Sequence, residues 1–132
     1  MKLFPFQEQA VQTLQDKFFY SKKQTIVFYA PTGAGKTIML INLMDRIIEY
    51  NPNSRDYVFI WLTPGNGELE EQSWNKSKDY GKFVQSLTLD EALSSGFQAN
   101  TATFLNWERV KNDKAIALRG GDTKSLDDII KN

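Results

Sequence analysis

The chain has 132 residues, 41% of them apolar and 13% aromatic, which is enough for one domain with a buried core. Its 16 Lys plus Arg balance 16 Asp plus Glu, so net charge does not mark a basic nucleic-acid binder, although a local basic face is compatible with that balance. Cys and His are both absent, which excludes disulfides, Cys-based metal sites and a Ser-His triad. Chemistry here has to use Lys, carboxylates, backbone N–H groups or a bound Mg²⁺.

In chain order, "MKLFPFQEQ" has no apolar run of signal-peptide type, and no segment approaches the roughly 20 apolar residues of a membrane span. These features predict a cytoplasmic protein without membrane contact. Pro5 to Tyr20 predicts an amphipathic helix, with Phe6, Ala10, Val11, Leu14 and Phe18 on one face. Thr25 to Ala30, "TIVFYA", is β-branched and aromatic and predicts a strand buried on both faces. "KTIMLINLMDRIIEY" predicts an apolar helix to Tyr50, and the Asn-Pro turn after it ends that helix.

Tyr57 to Leu62 predicts a second buried strand, followed by the "TPGNGE" loop and a polar helix, "ELEEQSWNKSKDY". Phe83 to Leu89 predicts a third strand, "LDEALSS" a short helix ended by Gly96, and Thr101 to Trp107 a fourth strand. "AIALRGGD" reads as a turn-rich hairpin or loop, and "SLDDIIKN" as the beginning of another helix. Strands alternating with helices predict an α/β fold with a parallel sheet and helices on both faces.

Between the first strand and the second helix lies Ala30-Pro31-Thr32-Gly33-Ala34-Gly35-Lys36-Thr37. This matches the phosphate-loop pattern except that Ala30 stands in place of the first Gly. Gly33 and Gly35 allow a tight turn whose successive N–H groups, with those of Thr32 and Ala34, point at phosphate oxygens. The helix N-terminus adds a favourable dipole for an anion. Lys36 reaches the β- and γ-phosphates, and the Thr37 hydroxyl is the expected Mg²⁺ ligand. ATP with Mg²⁺ is therefore the expected ligand, and Lys36 and Thr37 are the candidate catalytic residues.

A nucleoside-triphosphatase also needs a carboxylate at the end of an apolar strand. "LTLDEAL" offers Asp90 and Glu91, but the run before them alternates in polarity. It predicts a half-exposed strand leading into a helix whose first turn is acidic. Glu108 follows a strand that Asn106 interrupts. Neither satisfies the requirement.

"APTGAGKT", "LFPFQEQAVQTL", "FIWLTPGNGELEEQS" and "TATFLNWERV" together resemble superfamily 2 helicases and translocases, above all the helicase subunit of type III restriction enzymes. The resemblance runs through nearly the whole chain. It implies a RecA-like P-loop fold, present in part: residues 1–132 correspond to the N-terminal portion of the ATP-binding domain and end ahead of the DExx motif. It implies that Gln7 reads the adenine edge and that Phe4 or Phe6 lies near the base, whereas helical spacing alone puts Phe6 in the core. It also implies that Thr63, Pro64 and Gly65 touch a nucleic-acid backbone.

The implied partners are double-stranded DNA and a modification methyltransferase subunit. Lys76, Lys78 and Lys82 read as a solvated charged face. Trp61, Trp74 and Trp107 offer stacking surfaces, with Trp61 placed mid-strand in the core, and Asn106 and Arg109 are weaker candidates for DNA contact. Two other functions fit a phosphate loop: a small P-loop phosphotransferase, for which the four scattered Arg residues argue poorly, and a non-catalytic nucleotide-binding module.

Overall fold

The computed structural model describes residues 2–22, 25–31, 33, 35–51, 55–64 and 68–106. Helix α1 spans Pro5–Tyr20, with Pro5 at its first turn, where the missing N–H costs nothing. Helix α2 spans Lys36–Tyr50, strand β1 Val58–Thr63, and helix α3 Glu68–Tyr80. Strand β2 covers Gln85–Thr88, helix α4 Leu89–Ser95, and strand β3 Thr101–Asn106. The sheet is parallel, with order β1-β3-β2, so the last strand in sequence is the central one. All six residues of β3 are buried, as expected for a strand paired on both edges and covered on both faces.

The two faces are covered by different helices. Ile41 and Met44 of α2, with Trp74 of α3, pack on Phe59 and Trp61 of β1 and on Ala102 and Phe104 of β3. Leu89 and Leu93 of α4 pack on Leu105 from the other side. A connection rightward from β1 to β2 thus uses one face, and the return from β2 to β3 uses the other. That alternation is what a constant right-handed crossover requires.

The α/β parallel-sheet expectation holds. The β2–α4 junction also follows the sequence: Thr88 caps α4, accepting from the Glu91 N–H at 3.2 Å, while the Glu91 carboxylate accepts from the Thr88 N–H at 3.3 Å. Asp90 and Glu91 therefore belong to a helix start.

Residues 25–30 depart from the expectation. No sheet pairing includes them, and Val27 and Tyr29 are 70% and 90% exposed, with only Phe28 and Ala30 half-buried. A strand exists through its ladder, and no described strand lies beside this segment to supply one. Instead Phe28 to Pro31 line an open cavity of about 420 Å³ with Phe6, Ala10 and Met39. Phe6 also departs from core packing: it is more than half exposed and stacks on Phe4 at 6.2 Å.

Candidate phosphate-binding site

Helix α2 starts directly out of the Gly-rich turn. Gly33 and Gly35 have φ of +86° and +80°, the left-handed region in which a residue with Cβ is strained. Gly35 is the N-cap of α2, and its carbonyl accepts the first helical bond, from the Met39 N–H at 3.0 Å. Left-handed residues ahead of a helix start are of the kind from which anion-binding concavities are built. Lys36 is exposed at the first helical position, and Thr37 beside it is half-buried. Thr32 and Ala34 lie outside the described residues.

Gln7 is placed against this loop. Its carboxamide oxygen accepts from the Phe4 N–H at 2.9 Å, which fixes the side chain across the start of α1. A Cβ built on Gly35 would stand 2.6 Å from Gln7 Nε2, so the amide occupies the space that glycine leaves. The sequence expectation for Gln7 concerned a base edge. Its burial and its contact with the loop are additional facts, and no periodicity rule signals them.

The orientation of α2 is set at its far end. Asn51 Oδ1 accepts from the Arg55 N–H at 2.8 Å, and Asn51 Nδ2 donates to the Arg55 carbonyl at 2.7 Å, so the end of α2 is tied to the approach to β1. The helix is about 22 Å long and β1 about 20 Å, so the Lys36 end of α2 points toward the end where the strands finish. Open α/β sheets bind ligands on that edge.

Thr63 and Asn106 are register partners at that edge, and both are buried. The Thr63 hydroxyl donates to the Leu105 carbonyl at 3.1 Å, which holds the ends of β1 and β3 together. Pro64 is exposed just beyond, and Gly65 lies outside the described residues. Trp61 packs on Phe104 at 5.3 Å and belongs to the core, as its position in the strand predicted. Lys76, Lys78 and Lys82 are exposed, as expected of a solvated face, and the Lys78 Nζ lies 4.4 Å from the centre of the Trp74 ring. Trp107, Glu108 and Arg109 lie outside the described residues.

One buried side chain that holds the loop's helix in place was not singled out by the sequence pattern. Asp45 lies on the buried face of α2, and its carboxylate accepts from three successive backbone N–H groups, those of Lys82, Phe83 and Val84, at 2.9, 2.9 and 3.0 Å. This clamps the phosphate-loop helix to the turn between α3 and β2. The signal available in sequence was a lone Asp within "INLMDRII", on a face otherwise apolar.

The residues present fit the phosphate part of Mg-ATP: left-handed glycines, a helix N-terminus, an adjacent Lys and a Thr. When bound, Mg-ATP would supply the phosphoanhydride bond and the metal that neutralises its oxygens. Among the described residues no group of three acidic, His or Cys side chains is placed to hold a metal. No described helix is long and apolar enough to cross a membrane.

A parallel α/β sheet with a phosphate loop opening its second helix defines a P-loop protein of RecA-like type, present in part. The family described as type III restriction enzyme, res subunit, matches residues 1–124, and the chain belongs to that family. A DExH-box ATP-dependent RNA helicase of Arabidopsis thaliana is 33% identical over 82 residues, a match covering 55% of this chain and 4% of that relative. This chain thus corresponds to a small part of the relative's length. No solved structure matches it.

Proposed function

We propose that residues 1–132 are the N-terminal, nucleotide-holding portion of the first RecA-like domain of a DNA-dependent ATPase or translocase, the restriction subunit of a type III restriction-modification system. The observation that carries this is the pair of left-handed glycines at the head of α2, beside Lys36 and Thr37, in a chain of that family. In this reading the N–H groups of residues 32–36 hold the phosphates. Lys36 would hold the terminal phosphates, and the Thr37 hydroxyl would be a Mg²⁺ ligand. Gln7 steadies the loop from α1 while presenting its remaining amide capacity to the adenine. Thr63, Pro64 and Gly65 meet the DNA backbone at the strand ends. Double-stranded DNA and a methyltransferase subunit are the partners of the intact protein.

A phosphotransferase would need Arg residues free to hold the acceptor. Arg46 is instead bound to Glu8 and to Asn42 Oδ1, the latter at 2.7 Å.

The test is calorimetry of Mg-ATP binding to the chain and to Lys36→Ala. Binding lost in the variant is expected, and equal binding by both would remove the phosphate-loop assignment. The same reading expects no ATP turnover from residues 1–132 alone, because it assigns the metal-organising carboxylate, and an arginine finger worth about 10³-fold or more, to other parts of the intact protein. DNA-stimulated phosphate release by the purified chain would show that expectation to be wrong.

A further inference from the structure

Gln7 reaches the loop from α1, so its place depends on how α1 is held. Among the described elements, α1 packs closely on α2 alone. Residues 25–30, which lead from α1 into the loop, have no sheet pairing to fix them. The two helices are tied at both ends. At their far ends Tyr20 and Tyr50 share a hydroxyl bond of 2.5 Å, and Phe19 stands edge-on to Tyr50 at 5.1 Å. That tie lies about 20 Å along α1 from Gln7, so it leaves the start of the helix unset. At the near end the residue next to Gln7 carries the tie. Glu8 Oε2 accepts from Arg46 Nη2 at 2.5 Å, the one ion pair among the described residues.

Arg46 is itself held for this contact. Its Nε donates to Asn42 Oδ1 at 2.7 Å, one turn nearer the loop, which directs the guanidinium toward α1. The preceding residue, Asp45, binds the turn ahead of β2. Successive residues of a helix point about 100° apart, so Asp45 and Arg46 hold α2 against two different parts of the molecule. The Arg46 side chain is 22% exposed and that of Glu8 53%, and an ion pair this open to water contributes little to folding. Its use is geometric. It keeps the start of α1 from sliding on α2, while the bond from the Phe4 N–H to Gln7 Oε1 at 2.9 Å fixes the amide within α1. Together they set Gln7 Nε2 in the space that Gly35 leaves.

We propose that Arg46, acting through Glu8, is a positioning residue of the nucleotide site: it holds the start of α1 so that the Gln7 amide stays against Gly35. This role rests on the reading of residues 30–37 as a nucleotide loop. Glu8→Ala removes the tie at a half-exposed position and keeps a good helix former there. The Gln7 side-chain amide signal of the ligand-free chain, followed by nuclear magnetic resonance, should move in this variant and in Arg46→Ala. Mg-ATP affinity should fall about fivefold in both, the equivalent of one ordinary hydrogen bond. The thermal midpoint of Glu8→Ala should stay near that of the unaltered chain. Exchanging the pair, Glu8→Arg with Arg46→Glu, should restore both the signal and the affinity. An unmoved Gln7 signal, an unchanged affinity, or no recovery in the exchanged pair would overturn the proposal, as would affinity lost only in step with the fold. A moved signal in a chain that binds no Mg-ATP at all would instead overturn the nucleotide reading, and this role with it.

Discussion

Around the phosphate loop, conformation is set by residues close in sequence. Gly33 and Gly35 adopt left-handed φ, Gly35 caps α2, and Lys36 and Thr37 follow in the first turn. In the sheet, nothing is settled locally. Val58–Thr63 and Gln85–Thr88 become strands by pairing with Thr101–Asn106, tens of residues away. The two regions are joined by Asp45, which sits on the loop's helix and binds the backbone that leads into β2. Motifs made by local backbone preference survive in a piece of a domain, whereas strands depend on their neighbours being present.

The sharpest way to break the comparison is from the sheet side. Phe104→Ala should cost about 3–5 kcal/mol, because a fully buried aromatic at the centre of β3 is replaced by a cavity. Urea unfolding followed by Trp fluorescence would report it, and a loss under 1 kcal/mol would mean that the sheet is not the core. Asp45→Ala should cost about 3 kcal/mol, since three hydrogen bonds to a charged group vanish and leave backbone donors without an acceptor. Asp45→Asn should cost less, as one oxygen remains. If the clamp alone joins the regions, Asp45→Ala will also separate the fluorescence transition of the three Trp residues, of which Trp61 and Trp74 pack on the sheet, from the circular-dichroism transition of the helices. Coincident transitions would show a second link.

From the loop side the effects are smaller. Gly35→Ala should cost about 1–2 kcal/mol through its left-handed φ and should weaken nucleotide binding more than it weakens the fold. Calorimetry beside thermal melting would distinguish these, and wild-type affinity in the variant would detach the loop's shape from its ligand.

The smallest expected effect lies at the far ends of the two helices. Tyr20 and Tyr50 share a hydroxyl hydrogen bond of 2.5 Å, which raises the pKa of Tyr20 above the ordinary tyrosine value. The folded state therefore prefers the neutral phenol, and this contribution is present below the unfolded pKa and lost as pH rises through the folded one. Tyr50→Phe should move the Tyr20 midpoint back down in an absorbance titration. An unmoved midpoint would show that the bond is absent in solution.

The same contrast explains what could be read in advance. The Gly-rich turn, the helices α1 and α2, and the acidic first turn of α4 were legible because each depends on spacing within a few residues. Thr25 to Ala30 has strand composition, but composition states a preference and the ladder comes from elsewhere. Phe6 has core spacing on α1, yet the cavity beside it is left open where the sheet does not continue. Asp45 was invisible because a helical pattern identifies a buried face and does not say which backbone donors wait there. Gln7 was singled out for its amide, while its burial against Gly35 depends on how two helices meet.

The central place of β3 also sets a timetable. During synthesis β1 and β2 emerge first, and neither has a described strand to bond until Thr101–Asn106 follows, since each pairs with β3 and not with the other. For nearly forty residues of elongation the uncharged segment Val58–Thr63 has left the peptidyl-transferase centre without its partner. A nascent chain halted before Thr101 would hold its phosphate loop and four helices' worth of sequence, yet no sheet, and its most apolar strand would be open to chaperones or to other nascent chains.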